Sequence, residues 1–96
     1  MKPSRARLHA LMEILHALRE GPMLPNRLSQ VCNLNYQRAM EMLDQLEKKG
    51  LVSRMVQDGH DLYNLTQDGL KVSTHYQWIN AMVMGDAPGQ NEMSRR

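Results

Sequence analysis

Histidine and cysteine are the side chains of this sequence best suited to bind a metal or act in catalysis, and their spacing argues against both roles. His9 and His16 lie seven residues apart on one helix face, whereas zinc-binding helices pair histidines four residues apart. Cys32 is the only cysteine and has no adjacent ligand. No glycine-rich phosphate loop, paired-carboxylate arrangement or nucleophile motif is present. We therefore expect no enzyme, no metal, no cofactor and no small-molecule ligand.

A second group of polar side chains has the chemistry to recognise the edges of nucleic-acid bases. Gln37 can pair with adenine through two hydrogen bonds, Arg38 can do the same with guanine, and Glu41 can accept from cytosine N4. The alternative is the solvated outer face of a packing helix, since such faces are polar in most helices. The pattern favours base recognition.

Helical periodicity and helix-stop residues predict the elements at the start of the chain. A leucine stripe indicates a first helix over about residues 4–20, and a Gly-Pro pair terminates it. Pro25 then opens a short second helix that ends near residue 33. The stripe consists of Leu8, Leu11, Leu15 and Leu18.

The third predicted helix, over about residues 35–49, carries the polar stretch. Asn35 is a good N-cap, and two lysines followed by Gly50 mark the C-terminus. With one face turned inward, only Asn35, Gln37, Arg38 and Glu41 remain to contact bases. The face expected to be buried consists of Tyr36, Ala39, Met40, Met42, Leu43 and Leu46.

A hairpin and a fourth helix follow. Asp58-Gly59 is a strong two-residue turn signal between strands over 51–57 and 60–65. Thr66 is a candidate N-cap for a last helix that ends near residue 84. This order is that of a mainly α winged helix-turn-helix with a small β-hairpin. The predicted divisions are a basic arm over 1–7, the domain over 8–65, the C-terminal helix over 66–84 and a disordered tail over 85–96.

Three segments in the same order resemble one family. "CNLNYQRAMEML", "LDQLEKKGLV" and "YNLTQDG" are similar to motifs of the archaeal ArnR-like winged helix-turn-helix regulators, and the similarity extends over about residues 8–84. The resemblance implies a small transcriptional regulator. In this family the third helix enters the major groove, the hairpin lies beside the DNA backbone, and the final helix often forms a homodimer.

Three further parts of the chain are candidates for contact with DNA outside the third helix. Arg27 on the second helix is a candidate phosphate ligand, or a plain surface charge. Arg54, at a strand tip, and His60 are the only possible cations of the hairpin, which also carries Asp58 and Asp61. The basic arm either follows phosphates or is a solvated chain start.

The last helix has an apolar surface wider than one small core requires. We expect part of this surface to close the core and the rest to form a homodimer interface. The interface residues predicted from this pattern are Val72, Tyr76, Trp78, Ile79, Met82 and Val83.

Charge leaves two hypotheses open. The formal net charge is +2, and residues 10–50 hold five basic and five acidic side chains. We expect a cytoplasmic, homodimeric regulator that binds double-stranded DNA with sequence specificity. The alternative is a winged-helix module that binds another protein and no DNA.

Overall fold

Four helices and one hairpin make up the fold in a computed structural model, which describes the backbone of residues 5–84 and the side chains of 6–83. The predicted tail over 85–96 and the first four residues of the predicted arm lie outside the described residues. Residues 5–7 of that arm belong to the first helix. The structure confirms the mainly α winged helix-turn-helix class. The elements are α1 (Arg5–Leu18), α2 (Pro25–Val31), α3 (Tyr36–Lys48), β1 (Val52–Gln57), β2 (His60–Leu65) and α4 (Gln67–Met84).

The ends of α3 are set by local chemistry, as the sequence predicts. The Oδ1 atom of Asn35 accepts a hydrogen bond from the Arg38 N–H at 2.7 Å, which satisfies one of the free donors at the helix start. At the other end, Gly50 adopts a positive φ of 76°, and the N–H of Leu51 donates to the Leu46 carbonyl at 3.0 Å. This left-handed glycine turns the chain into β1.

The hairpin pairs β1 and β2 antiparallel, from Val52 opposite Leu65 to Gln57 opposite His60. Asp58 and Gly59 both have positive φ, 53° and 77°, as a type I′ turn requires. The predicted turn is therefore confirmed.

A single bridge extends this small sheet on its β2 side. The backbone N–H of Met23 donates to the Tyr63 carbonyl at 3.0 Å, and the N–H of Tyr63 donates to the Met23 carbonyl at 2.9 Å. The segment between α1 and α2 is thereby tied to the hairpin.

The core lies among α1, α2 and α3 and is closed by Val52 and Tyr63 from the hairpin. One sequence prediction about burial is wrong. Tyr36 is 51% exposed, because it stands in the first turn of α3, where its ring lines an open groove and not the core. Leu8, near the start of α1, is also 46% exposed. The fully buried large side chains include Ile14, Leu15, Leu28, Met42, Leu43 and Leu46.

The start of α4 is fixed to the hairpin by a cap and a close approach. Thr66 Oγ1 accepts from the Gly69 N–H at 2.9 Å and donates to the Gly50 carbonyl at 2.8 Å. A Cβ on Gly69 would stand 2.0 Å from the carbonyl oxygen of Leu51, so only glycine fits. From this anchor α4 packs along α1. Within the described part of the chain, no helix is long and apolar enough to cross a membrane.

Candidate nucleic-acid interface

Three elements that the sequence linked to DNA converge on one groove of about 330 Å³. The groove lies where the first turns of α2 and α3 approach the tip of the hairpin. It brings His60, predicted as a contact residue, onto the same surface as Tyr36, which was predicted to be buried. The lining residues are Leu24, Pro25, Asn26, Tyr36, Met40, Gly59, His60 and Asp61.

The outer face of α3 presents the polar side chains that were predicted to read bases. Gln37 and Glu41 are exposed, and Arg38 is half-buried. Within the described residues, these three side chains form no ion pair and no side-chain hydrogen bond. They are therefore available to an outside partner.

Asn35 is less available to an outside partner than these three residues, because its side-chain oxygen, Oδ1, already caps the start of α3. The amide oxygen has two lone pairs and the nitrogen two N–H donors, so one lone pair is committed to the cap, and the NH2 group remains to donate to another partner. Its first role is to fix the start of α3, and through that the direction in which Gln37 and Arg38 project.

Arg54 joins the hairpin to α3. It is the third residue of β1 and does not sit at a strand tip, which corrects the sequence prediction. Its Nε lies 3.5 Å from Glu47 Oε2 and its Nη1 lies 3.7 Å from Asp61 Oδ2. The opposite residue in the ladder is Tyr63. Burial raises the pKa of Tyr63, while the Arg54 charge acts to lower it.

The charges on this surface are mixed. The helix α3 carries two basic and three acidic side chains, and the hairpin carries one basic and two acidic. Lys48 also pairs with Asp44 at 3.3 Å, whereas Arg27 on α2 is exposed. Bulk attraction to a polyanion is therefore weak, and recognition of DNA would depend on individual contacts.

Tyr36 is the residue of this surface that sequence reasoning missed. It fits the inward spacing of α3, so periodicity assigns it to the core. Its place directly after the N-cap is the signal that could have revealed it, because a neighbouring helix need not cover the first turn. The half-exposed phenol adds a hydroxyl of a kind that commonly contacts phosphate oxygens.

The predicted interface residues of α4 fall into two groups. Val72 packs against the core and Tyr76 is half-buried, so both contribute to the fold of a single chain. The other four are exposed, and residues 76–83 contain no charged side chain. An apolar trough of about 480 Å³ reaches Ile79, the one of these four that lines it, and has Leu8 and Met12 of α1 in its wall. The exposed four are Trp78, Ile79, Met82 and Val83.

Comparison with known families identifies the class of this chain. The winged helix-turn-helix family model matches residues 4–83, and the chain belongs to that family. No curated protein matches the sequence.

Solved structures with the same fold include proteins from archaea and bacteria. The transcriptional regulator BldR from Sulfolobus solfataricus superposes with a TM-score of 0.69 at 20% identity, over 91% of this chain and 68% of its own. A homodimeric winged helix-turn-helix DNA-binding domain, Mb0332 from Mycobacterium bovis, superposes with a TM-score of 0.72 at 17% identity, over 83% of this chain and 75% of that chain. Sso10a-2, a DNA-binding protein from Sulfolobus solfataricus, superposes with a TM-score of 0.68 at 22% identity, over 88% of this chain and 92% of that chain. At these identities the similarity establishes the fold.

Proposed function

We propose that this protein is a homodimeric transcriptional regulator that binds double-stranded DNA with sequence specificity, similar to the archaeal ArnR-like regulators, and acts in the cytoplasm. The observation that carries the proposal is the outer face of α3. A capped and well-packed helix presents Gln37, Arg38 and Glu41 without partners inside the described chain. Structures named as regulators or DNA-binding proteins share the fold, which is consistent with this function.

In this proposal α3 lies in the major groove with its N-terminal half toward the base edges. Arg38 pairs with guanine and Gln37 with adenine. Phosphates on one side are held by Arg27 of α2, and on the other by His60 together with Tyr36 at the groove. Arg54 stays in its ion pairs with Glu47 and Asp61 and acts mainly by holding the hairpin against α3.

The dimer in this proposal forms through the exposed apolar half of α4. Burying Trp78, Ile79 and Val83 removes apolar surface from water at little desolvation cost, because no charge lies between residues 76 and 83. A two-fold axis there would present two α3 helices to DNA. Half-sites about 34 Å apart, in a palindromic operator, follow from that symmetry.

Selection from a random duplex library, followed by fluorescence anisotropy over a range of salt concentrations, tests the DNA proposal. The wild-type protein should bind the enriched duplex with an affinity that falls as salt rises. Arg38→Ala should weaken binding to that duplex by about tenfold or more, because it removes a bidentate base contact.

Arg19→Ala is the matched control, since it removes the same charge from an exposed residue that lines neither the groove at α3 nor the trough at α4. It should leave the affinity within about twofold. If both variants lose affinity equally, net charge and not base recognition by Arg38 is responsible.

The second candidate function, protein binding without DNA, is favoured by one observation. Arg54 is neutralised by Glu47 and Asp61, and neither α3 nor the hairpin carries an excess of positive charge. Wild-type protein that selects no duplex even at low salt would support this alternative and contradict the DNA proposal.

A further inference from the structure

A cleft of about 360 Å³ lies between α1 and α4, next to the apolar trough. Ser73, Gln77 and Asn80 stand at i, i+4 and i+7 and form its α4 wall, whereas Val72 and Ile79 face the trough. The cleft is therefore distinct from the proposed DNA surface, and it adjoins the trough, with which it shares Met12 and Tyr76. Its lining is completed by His9, Met12, Glu13, His16 and Tyr76.

The hydroxyl of Ser73 is an unsatisfied polar group in the wall of this cleft. Ser73 is only 2% exposed, and its hydroxyl makes none of the hydrogen bonds found among the described residues. Ser29, also buried, donates to the Asn26 carbonyl at 2.8 Å. A buried hydroxyl without a partner is costly, so a molecule that offers one would be held there.

The other polar groups around the cleft are largely committed to one another. Arg19 Nη1 donates to Gln77 Oε1 at 2.7 Å, which leaves Gln77 Nε2 to donate to His16 Nδ1 at 2.6 Å. Because Nδ1 accepts, the proton of a neutral His16 lies on Nε2. His9 Nε2 pairs with Glu13 Oε2 at 3.3 Å. The two formal charges here, the guanidinium of Arg19 and the carboxylate of Glu13, are opposite in sign and sum to zero, so the rim does not favour a ligand of either charge.

We propose that this cleft binds a small, uncharged, mainly apolar molecule that contains one ring and one oxygen able to hydrogen-bond. The ring packs between Met12 and Tyr76, and the oxygen bonds to the hydroxyl of Ser73. Clefts of about 300 Å³ or more, apolar with a few placed polar groups, are typical small-molecule sites. A ligand here contacts α1 of the core and α4 at the same time.

Phenol and toluene are a matched pair of probes, since they have nearly the same shape and only phenol can hydrogen-bond. Each is titrated to about 10 mM into the 15N-labelled full chain, a range that detects millimolar binding. Both should shift the amides of Met12, Ser73 and Gln77 and leave those of Gln37 and Arg54 unmoved. Phenol should bind about threefold to tenfold more tightly than toluene, as one net hydrogen bond implies.

Ser73→Ala should abolish the preference for phenol and leave toluene binding intact. Ser29→Ala is the control, because that hydroxyl is already bonded within the chain, and it should keep the preference. Asn80→Trp, at the exposed rim, should block both probes by filling the entrance.

Absence of shifts around the cleft with both probes would overturn the proposal. An undiminished phenol preference in Ser73→Ala would do the same. The titration contains no DNA, so its outcome is independent of whether the protein proves to be a DNA-binding regulator.

Discussion

At the scale of single residues, Arg38 has two roles at the start of α3. Its backbone N–H bonds to Asn35 Oδ1, and its half-buried side chain leaves the helix toward solvent. The helix start is thus set at the same residue that we propose reads a base. Stability and recognition are therefore coupled there, and the two must be separated by the choice of variant.

Replacement of Asn35 separates capping from side-chain identity. Asn35→Ala should lower the free energy of unfolding by about 0.5–2 kcal/mol, because the Arg38 N–H loses its acceptor. Asn35→Ser, which can cap in the same way, should lie close to wild type. Chemical denaturation followed by circular dichroism measures both. Equal losses in the two variants would show that the amide itself, and not the cap, is required.

The thiol of Cys32 should affect stability only at alkaline pH. Burial, and secondly the negative charge of Glu13, raise its pKa from 9.0 to about 11. Below pH 9.0 both folded and unfolded chains keep the proton, and the full contribution is present. Between these pH values only the unfolded chain ionises, so stability should fall as pH rises, by on the order of 1–2 kcal/mol.

Denaturation of wild type and Cys32→Ala at several pH values isolates this effect from other titrating groups. The difference in unfolding free energy between the two proteins should shrink from pH 9.0 toward about 11. A difference that stays constant would show that the thiol ionises as readily in the folded chain as in the unfolded one.

At the scale of elements, the contact between α4 and the start of β1 determines where the last helix points. Thr66 bonds to both Gly50 and Gly69, and Gly69 allows the helix to approach the Leu51 carbonyl. These contacts set the angle at which α4 leaves the hairpin. They thereby set the direction of the apolar half of α4 that we propose forms the dimer.

Gly69→Ala tests this contact. A methyl group cannot occupy a position 2.0 Å from a carbonyl oxygen, so α4 must move or part of its first turn must unwind. We expect a loss of about 1–3 kcal/mol in the free energy of unfolding, although alanine favours helix in open surroundings. Thr74→Ala, on the exposed surface of the same helix, should be neutral or slightly stabilising. A Gly69→Ala protein as stable as wild type would mean that the approach is looser than the structure indicates.

At the scale of the whole molecule, three surfaces surround one small core, and two of them share Met12 and Tyr76. The outer face of α3 and the groove beside it form the proposed DNA surface. The trough and the exposed end of α4 form the proposed dimer surface, and the cleft next to the trough forms the proposed ligand site. Because α4 contributes to two of them, its position relative to α1 links assembly and ligand binding.

Ile79→Asp tests the dimer. A charge placed in the uncharged stretch over 76–83 would be buried without a partner at the interface, so the variant should sediment with the mass of one chain while wild type sediments as two. Thr74→Asp adds the same charge at an exposed position of α4 outside residues 76–83 and should remain dimeric. An unchanged mass for Ile79→Asp would assign this stretch to the surface of a monomer.

The sequence by itself determined the elements and their ends. Asn35, Asp58-Gly59 and Thr66 act through hydrogen bonds and backbone angles within a few residues, so their roles can be read without the fold. The order of helices and hairpin, and with it the winged helix-turn-helix class, follows from such local signals.

Only the tertiary structure decided which side chains are exposed to solvent and which are paired with another residue. Ser73 on α4 is buried because α1, from a distant part of the chain, packs beside it. Tyr36 is exposed because it lines an open groove between elements that are brought together by folding. Arg54 was neutralised partly by Glu47, which stands on another element. Periodicity assigns a side chain to a face, but burial and pairing depend on what packs against that face, and those neighbours are brought together only by folding.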